Sequence, residues 1–350
     1  MAWEKLGTTS VGGDPAATSW KELARITAGS GGSSSLTTST FTAKDNLMIL
    51  YNSIGADPQM RVGYSSIDEG ANYCQRYSEN GGSDSSFTSS PHNAYWYING
   101  GAGATGSEHV MGFIEGVNLS SFEKLLLLNS ADNASGTGAG TAPGRYERAM
   151  KWANTSNQIN IARMFSSGTM AEGSEMVVLG CDNDEADSGT NFWQELATVE
   201  LSSAGDSLDI SSFTAKKWLF MVWKTDHVSG NTDDIYCKFN GDGGSNYGYR
   251  RDAGSSDETF TSTDKMRIDA ANGAYTRDGF MIIRNLADKE KILYMQDVIE
   301  NGSGASAAPR YIEAVGKWAN TSAQISDIEL INQGSGDFKI GSTMKIYGAD

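Results

Sequence analysis

The chain has 350 residues, with 27 Lys and Arg against 43 Asp and Glu, a formal net charge of −16. So acidic a chain lacks the positive field that a phosphate backbone needs, which argues against a nucleic-acid binder. With 39% hydrophobic and 10% aromatic residues it can bury cores of its own, and its length favours two domains over wholesale disorder.

In chain order, the opening Met1-Ala2-Trp3-Glu4-Lys5 has neither a basic nor an apolar signal region, so no secretory leader is expected. Residues 1–19 read as an arm whose Trp3-Glu4-Lys5-Leu6-Gly7 is a degenerate copy of a W-x-E-L opening met again below. The apolar run 47–51 suits a strand buried on both faces. Turn clusters follow at Asp68-Glu69-Gly70 and Asn80-Gly81-Gly82, where residues that tolerate positive φ or bond their own backbone gather. Segment 120–128 ends in four leucines and is read as a polar turn leading into a strand. A Gly- and Ala-rich loop, 136–143, ends at Pro143 and precedes Lys151-Trp152-Ala153-Asn154-Thr155-Ser156.

After a polar stretch the pattern starts again. Lys317-Trp318-Ala319-Asn320-Thr321-Ser322 repeats the Trp152 motif, and Pro309 closes a second Gly/Ala/Ser loop. Trp20-Lys21-Glu22-Leu23-Ala24 returns as Trp193-Gln194-Glu195-Leu196-Ala197, and Phe41-Thr42-Ala43-Lys44 as Phe213-Thr214-Ala215-Lys216. Asn72, Tyr73 and Arg76 match Asn246, Tyr247 and Arg250, and Asp182 matches the final Asp350. Repeats must be recognised before any fold is assigned. The expected organisation is an arm (1–19), a first copy (20–182), a linker (183–191) and a second copy (192–350). Period-two alternation, as in Ile235-Tyr236-Cys237-Lys238-Phe239, with frequent turns, predicts two tandem all-β sandwiches of the jelly-roll kind.

Residues able to carry chemistry are few. Cys74, Cys181 and Cys237 show no C-x-x-C spacing and are expected as free thiols of a chain made in a cytoplasm. The apolar runs 125–128 and 218–223 are far shorter than the roughly 18 residues of a membrane span. His92, His109 and His227 stand alone and are read as ordinary loop or surface residues. The stretch 101–106 satisfies G-x-G-x-x-G, but a strand follows where a dinucleotide site needs a helix, so it is read as a turn. Oxygen-rich Asp182, Asp184, Glu185 and Asp187, and Asp242 with Asn246, could hold Ca²⁺, yet neither group has an EF-hand spacing. Both are taken as acidic turns, and no metal, cofactor or catalytic residue is assigned. Glu147 and Glu313 recur four places before Lys151 and Lys317, and a structural ion pair is expected rather than a glycosidase carboxylate. Tyr95-Trp96-Tyr97 could stack on sugars, but a buried or interface strand is preferred.

At these motifs the chain resembles a group of uncharacterised proteins of tailed bacteriophages, especially marine ones. The shared features are the W-x-E-L opening at Trp193, the Asn72-Tyr73…Arg76…Gly81-Gly82-Ser83-Asp84-Ser85 middle, and the close from Lys317 to Ile325 with Gly341-Ser342 to Asp350. The resemblance implies a non-enzymatic virion structural protein, assembled in the host cytoplasm and decorating the outer capsid shell. Its implied partners are the major capsid protein or other virion proteins and further copies of itself, with neither nucleic acid nor membrane. A tail-fibre or lectin-like carbohydrate-binding module is the alternative, and a polysaccharide-degrading enzyme the third.

Overall fold

The computed structural model describes residues 20–90, 92–99, 109–133, 136–183, 191–227, 232–252, 257–272, 275–302, 304–333 and 336–350. The arm 1–19, the glycine-rich 101–106 and the linker acids Asp184, Glu185 and Asp187 lie outside the described residues. The alternation read from the sequence resolves into strands. Ile235, Cys237 and Phe239 are fully buried on one face while Tyr236 and Lys238 between them stay partly exposed.

The first repeat contributes β1 (Lys21–Thr27), β2 (Ser33–Thr37), β3 (Asn46–Ile54), β4 (Gln59–Tyr64), β5 (Ser66–Ile67), β6 (Tyr73–Glu79), β7 (Ser85–Phe87), β8 (Trp96–Tyr97), β9 (His109–Val117), β10 (Lys124–Asp132), β11 (Gly144–Trp152), β12 (Ile161–Met170) and β13 (Glu175–Cys181). The second contributes β14 (Gln194–Glu200), β15 (Ser207–Ile210), β16 (Trp218–Thr225), β17 (Thr232–Phe239), β18 (Tyr247–Asp252), β19 (Asp257–Thr263), β20 (Met266–Asn272), β21 (Arg277–Arg284), β22 (Lys291–Ile299), β23 (Arg310–Trp318), β24 (Ile328–Asn332) and β25 (Thr343–Ala349). Segment 120–128 is, as read, a turn entering a strand.

Each repeat is a β-sandwich of the same antiparallel design. Its large sheet runs β1-β13-β3-β9-β10-β11-β6-β7 in the first and β14-β25-β16-β21-β22-β23-β18-β19 in the second. The smaller sheets, β2-β12-β4-β5 and β15-β24-β17-β20, correspond as well, with β8 on the edge of β4 where β20 pairs with β17. Even an irregularity repeats: the register shift between Glu22 and Ala24 in β1 recurs between Glu195 and Ala197 in β14. Two cores result, one between the sheets of each repeat. Ile49, Met60, Leu126, Trp152 and Met164 belong to the first, and Met221, Ile235, Leu293, Trp318 and Leu330 to the second.

The chain divides into two compact units, Met1–Ala134 with Gly144–Phe192, and Ser135–Pro143 with Trp193–Asp350. The loop between β10 and β11 thus belongs to the second unit, although the chain runs through it midway along the first repeat.

The recurring motifs prove to be joints of the sandwich. Trp152 Nε1 donates to Asp68 Oδ2 at 2.8 Å, and Trp318 Nε1 to Asp242 Oδ2 at 2.7 Å. Each aspartate also accepts from its own turn, Gly70 N and Asn72 Nδ2 in one repeat, Gly244 N and Asn246 Nδ2 in the other. Asn154 Oδ1 takes the amides of Ser156 and Asn157, and Asn320 Oδ1 those of Ser322 and Ala323, so each Trp leads into a closed turn. Lys44 reaches Asp182 at 2.8 Å and Lys216 reaches Asp350 at 2.6 Å.

Candidate functional site: an apolar groove on the first repeat

A strand that faces a core on one side and water on the other alternates apolar and polar residues. β10 breaks this rule. Leu126 and Leu128 point into the sandwich and are buried, whereas Leu125 and Leu127, on the opposite face, are 66% and 56% exposed. Val117 from neighbouring β9 and Phe122 from the preceding turn are also mostly exposed. Together they line an open groove of about 930 Å³, rimmed by Asn46, Glu115 and Glu123. Isolated surface apolar residues are ordinary, but four lining one groove make it the candidate interaction surface.

Polar neighbours frame the strip. Leu125 lies opposite Lys151 in the β10–β11 ladder, and Lys151 lies opposite Cys74 in the β11–β6 ladder. Lys151 Nζ sits 3.2 Å from Glu123, a pairing that holds the lysine above its usual range. Arg76 pairs with Asp84 at 2.7 Å, both largely in solvent.

The same face of the second repeat is closed. Ile292 and Tyr294 stand where Leu125 and Leu127 stand in the first, and both are fully buried. Arg284, the counterpart of Val117, is buried with its guanidinium 4.5 Å over the Trp218 ring. Across this face lies the loop of residues 136–143, itself part of the second unit. Lys317 Nζ donates to Gly136 O at 2.8 Å and Thr141 Oγ1 at 3.1 Å, and the Gly138 amide donates to Glu290. Ser262 N donates to Ala139 O at 2.7 Å, and Arg250 Nε to Pro143 O at 3.3 Å.

Other residues singled out in the sequence are placed elsewhere. Asp242 and Asn246 bond to each other and to Trp318, so the carboxylate serves the fold. Burial alone would raise both Asp68 and Asp242, but bonds from the Trp indole, the turn amide and the Asn hold each below the usual carboxylate range. Among the described residues no group of three or more His, Cys, Asp or Glu is arranged to hold a metal ion. Trp96 and Tyr97 are buried; Tyr95, partly exposed, packs edge-on against Tyr97 and Phe165, so these three rings form no open platform.

Two expectations need correcting. Glu147 and Lys151 do not pair, because four residues along a strand span roughly 13 Å. Glu147 instead meets Arg145 at 2.6 Å, Glu313 accepts from Tyr294, and the lysines turn to Glu123 and Glu290. His109 and His227 are buried rather than superficial: His227 packs edge-on against Phe338 at 5.0 Å, and the His109 amide donates to Asn133 Oδ1. Cys181 and Cys237 are buried, Cys74 is half-buried, and none of the three forms a disulfide. No described helix is long and apolar enough to cross a membrane, which leaves strand-built spans unaddressed.

No protein-family model matches the chain, and no curated protein matches it. Among solved structures it is similar to domains LG4–5 of the mouse laminin alpha1 chain, at 9% identity over 92% of this chain and 88% of that one, with a TM-score of 0.19. The LG1–3 region of the laminin alpha2 chain matches at 7% identity over 93% of this chain and 62% of its own length, with a TM-score of 0.21. At these scores the likeness adds nothing to a fold already set by the strand order.

Proposed function

We propose that the chain is a structural protein of a phage virion, docking on the outside of the capsid shell rather than transforming a substrate. The observation that carries this reading is the exposed strip of Val117, Phe122, Leu125 and Leu127, on a repeat whose recurring Asp68 and Asp182 are already committed to the fold. A carboxylate bonded to an indole and a turn amide serves architecture in both repeats. The strip offers apolar area, whose burial favours association by roughly 25 cal/mol per Å² before the costs of immobilisation. Tandem modules suit such a role, because a chain that touches a repetitive lattice twice gains effective concentration from its own tether. The acidic balance keeps decorated particles soluble and mutually repellent.

The test is to purify the phage particles and quantify the chain in them. The reading expects a copy number comparable to that of the shell subunit, and loss of the chain from particles carrying Leu125→Asp with Leu127→Asp. Absence from washed particles overturns it. A carbohydrate-binding module on a tail fibre replaces it if a glycan array instead shows binding that the groove substitutions leave intact.

A further inference from the structure

The two repeats expose complementary halves of one contact. In the first, the loop between β10 and β11 is seated on the second unit's own sheet face: its Ala139, Ala142 and Pro143 are buried. The sheet face of that repeat, around Leu125, is open. In the second repeat the sheet face around Ile292 is covered, and the hairpin tip is open. Val298 and Tyr311, the counterparts of Ala131 and Arg145 and cross-strand partners of each other, are each 46% exposed. Ala305, Ala308 and Pro309 of its loop are exposed as well.

The second loop is already shaped for docking. Gly136 and Gly138 hold φ of +128° and +80° in the loop seated on the second unit; Gly302 and Gly304 hold +124° and +77° in the unseated one. Such positive φ values are open to glycine and strained for other residues. At these glycines the unseated loop holds the backbone shape that its counterpart has when seated. The seat is also partly duplicated, since Lys151, Glu123 and Arg76 of the first repeat stand at the places of Lys317, Glu290 and Arg250.

We infer that the loop 302–309 of one molecule, with Val298 and Tyr311 beside it, docks on the Leu125–Lys151 face of a second copy of this chain. The contact is head-to-tail, so each molecule keeps one free tip and one free groove. Such heterologous contacts propagate into rows, or into rings where the rotation closes. The inference deepens the reading of this strip as a docking surface by naming its occupant, and it does not depend on the assembly being a virion.

Two differences set the strength. Ala307 lacks the hydroxyl that Thr141 offers to Lys317. Cys74 replaces Gly248, and a Cβ at Gly248 would come within 2.9 Å of Thr141 O and 3.2 Å of Ala139 O. The loop of a second molecule must therefore sit slightly higher, and the association is weak in free solution.

The experiment uses the purified full-length chain in about 0.15 M salt, which screens the mutual repulsion of acidic molecules. Weight-average mass is followed by sedimentation up to ~1 mM chain, where even millimolar contacts register. Wild type should grow beyond a dimer with concentration. A groove variant (Leu125→Asp with Leu127→Asp) and a tip variant (Val298→Asp with Tyr311→Asp) should each stay monomeric. Mixed one to one, they should form a heterodimer and nothing larger, because one good tip meets one good groove. Cys74→Gly should tighten wild-type association roughly tenfold. A strictly monomeric wild type, growth that stops at a symmetric dimer, or a mixture that stays monomeric each overturns the inference. Should particles hold the chain through the strip while the pure chain stays monomeric, the inference fails and the virion reading stands; the converse result separates them the other way.

Discussion

The two repeats share a skeleton and differ in skin. Sheet order, the register shift in the first strand, the Trp–Asp joint and the Lys–Asp contact at the last strand are the same in both. The outer face of the large sheet is not: leucines stand in water on β10, while isoleucine and tyrosine are buried on β22. The comparison teaches that what recurs here belongs to folding, and that function is to be sought where the copies diverge.

The largest expected effects test the shared skeleton. Trp152→Ala and Trp318→Ala should each cost about 3–5 kcal/mol in their own repeat, as loss of a large buried ring does. Chemical denaturation followed by two probes, one per repeat, checks this, and unequal losses would break the equivalence. Next comes the diverged face. Ile292→Asp should cost about 3 kcal/mol or more by burying a charge, whereas Leu125→Asp, its counterpart in water, should change stability by less than about 0.5 kcal/mol. Equal costs would mean that the two faces are alike after all.

A pH-dependent effect distinguishes the cores. Asp297 is buried beside Trp223 Nε1, and burial raises its carboxyl to about 7, partly offset by the Arg277 guanidinium. The first repeat has Ser130 at this place. A carboxyl whose folded pKa lies above its unfolded value of 3.8 binds its proton more tightly when folded, so stability declines as pH rises from about 4 to about 7 and levels off above. Thermal melts should show this slope for the second repeat alone, and Asp297→Asn should flatten it. Smallest of all, Gly248→Ala should cost about 1 kcal/mol or somewhat more by pushing a methyl against Thr141 O, while Cys74→Gly should cost roughly 0.5–1 kcal/mol, as glycine inside a strand does.

Much of this was legible before any coordinates. Duplication, strand alternation at residues 235–239 and the anchoring role of Trp152 and Trp318 follow from pattern, because a core selects for period and for large apolar anchors. The diverged surface was not legible. Four consecutive leucines at 125–128 and the run 219–223 look alike, since periodicity reports whether both faces are apolar and not whether anything covers the second. Nor does composition say where a loop docks: 136–143 and 302–309 are near copies, yet only the first has a seat among the described residues. The expected pairing of Glu147 with Lys151 failed for a related reason, as helical spacing was applied to residues that lie on a strand.

The most direct measurement of the complementary-surface account is backbone hydrogen exchange on the intact chain at low and high concentration. The account predicts that the loop 302–309 and the turn at Phe122 slow their exchange as concentration rises, while 136–143, already seated, does not change. Exchange that is independent of concentration throughout, or protection gained on a different face, would contradict it.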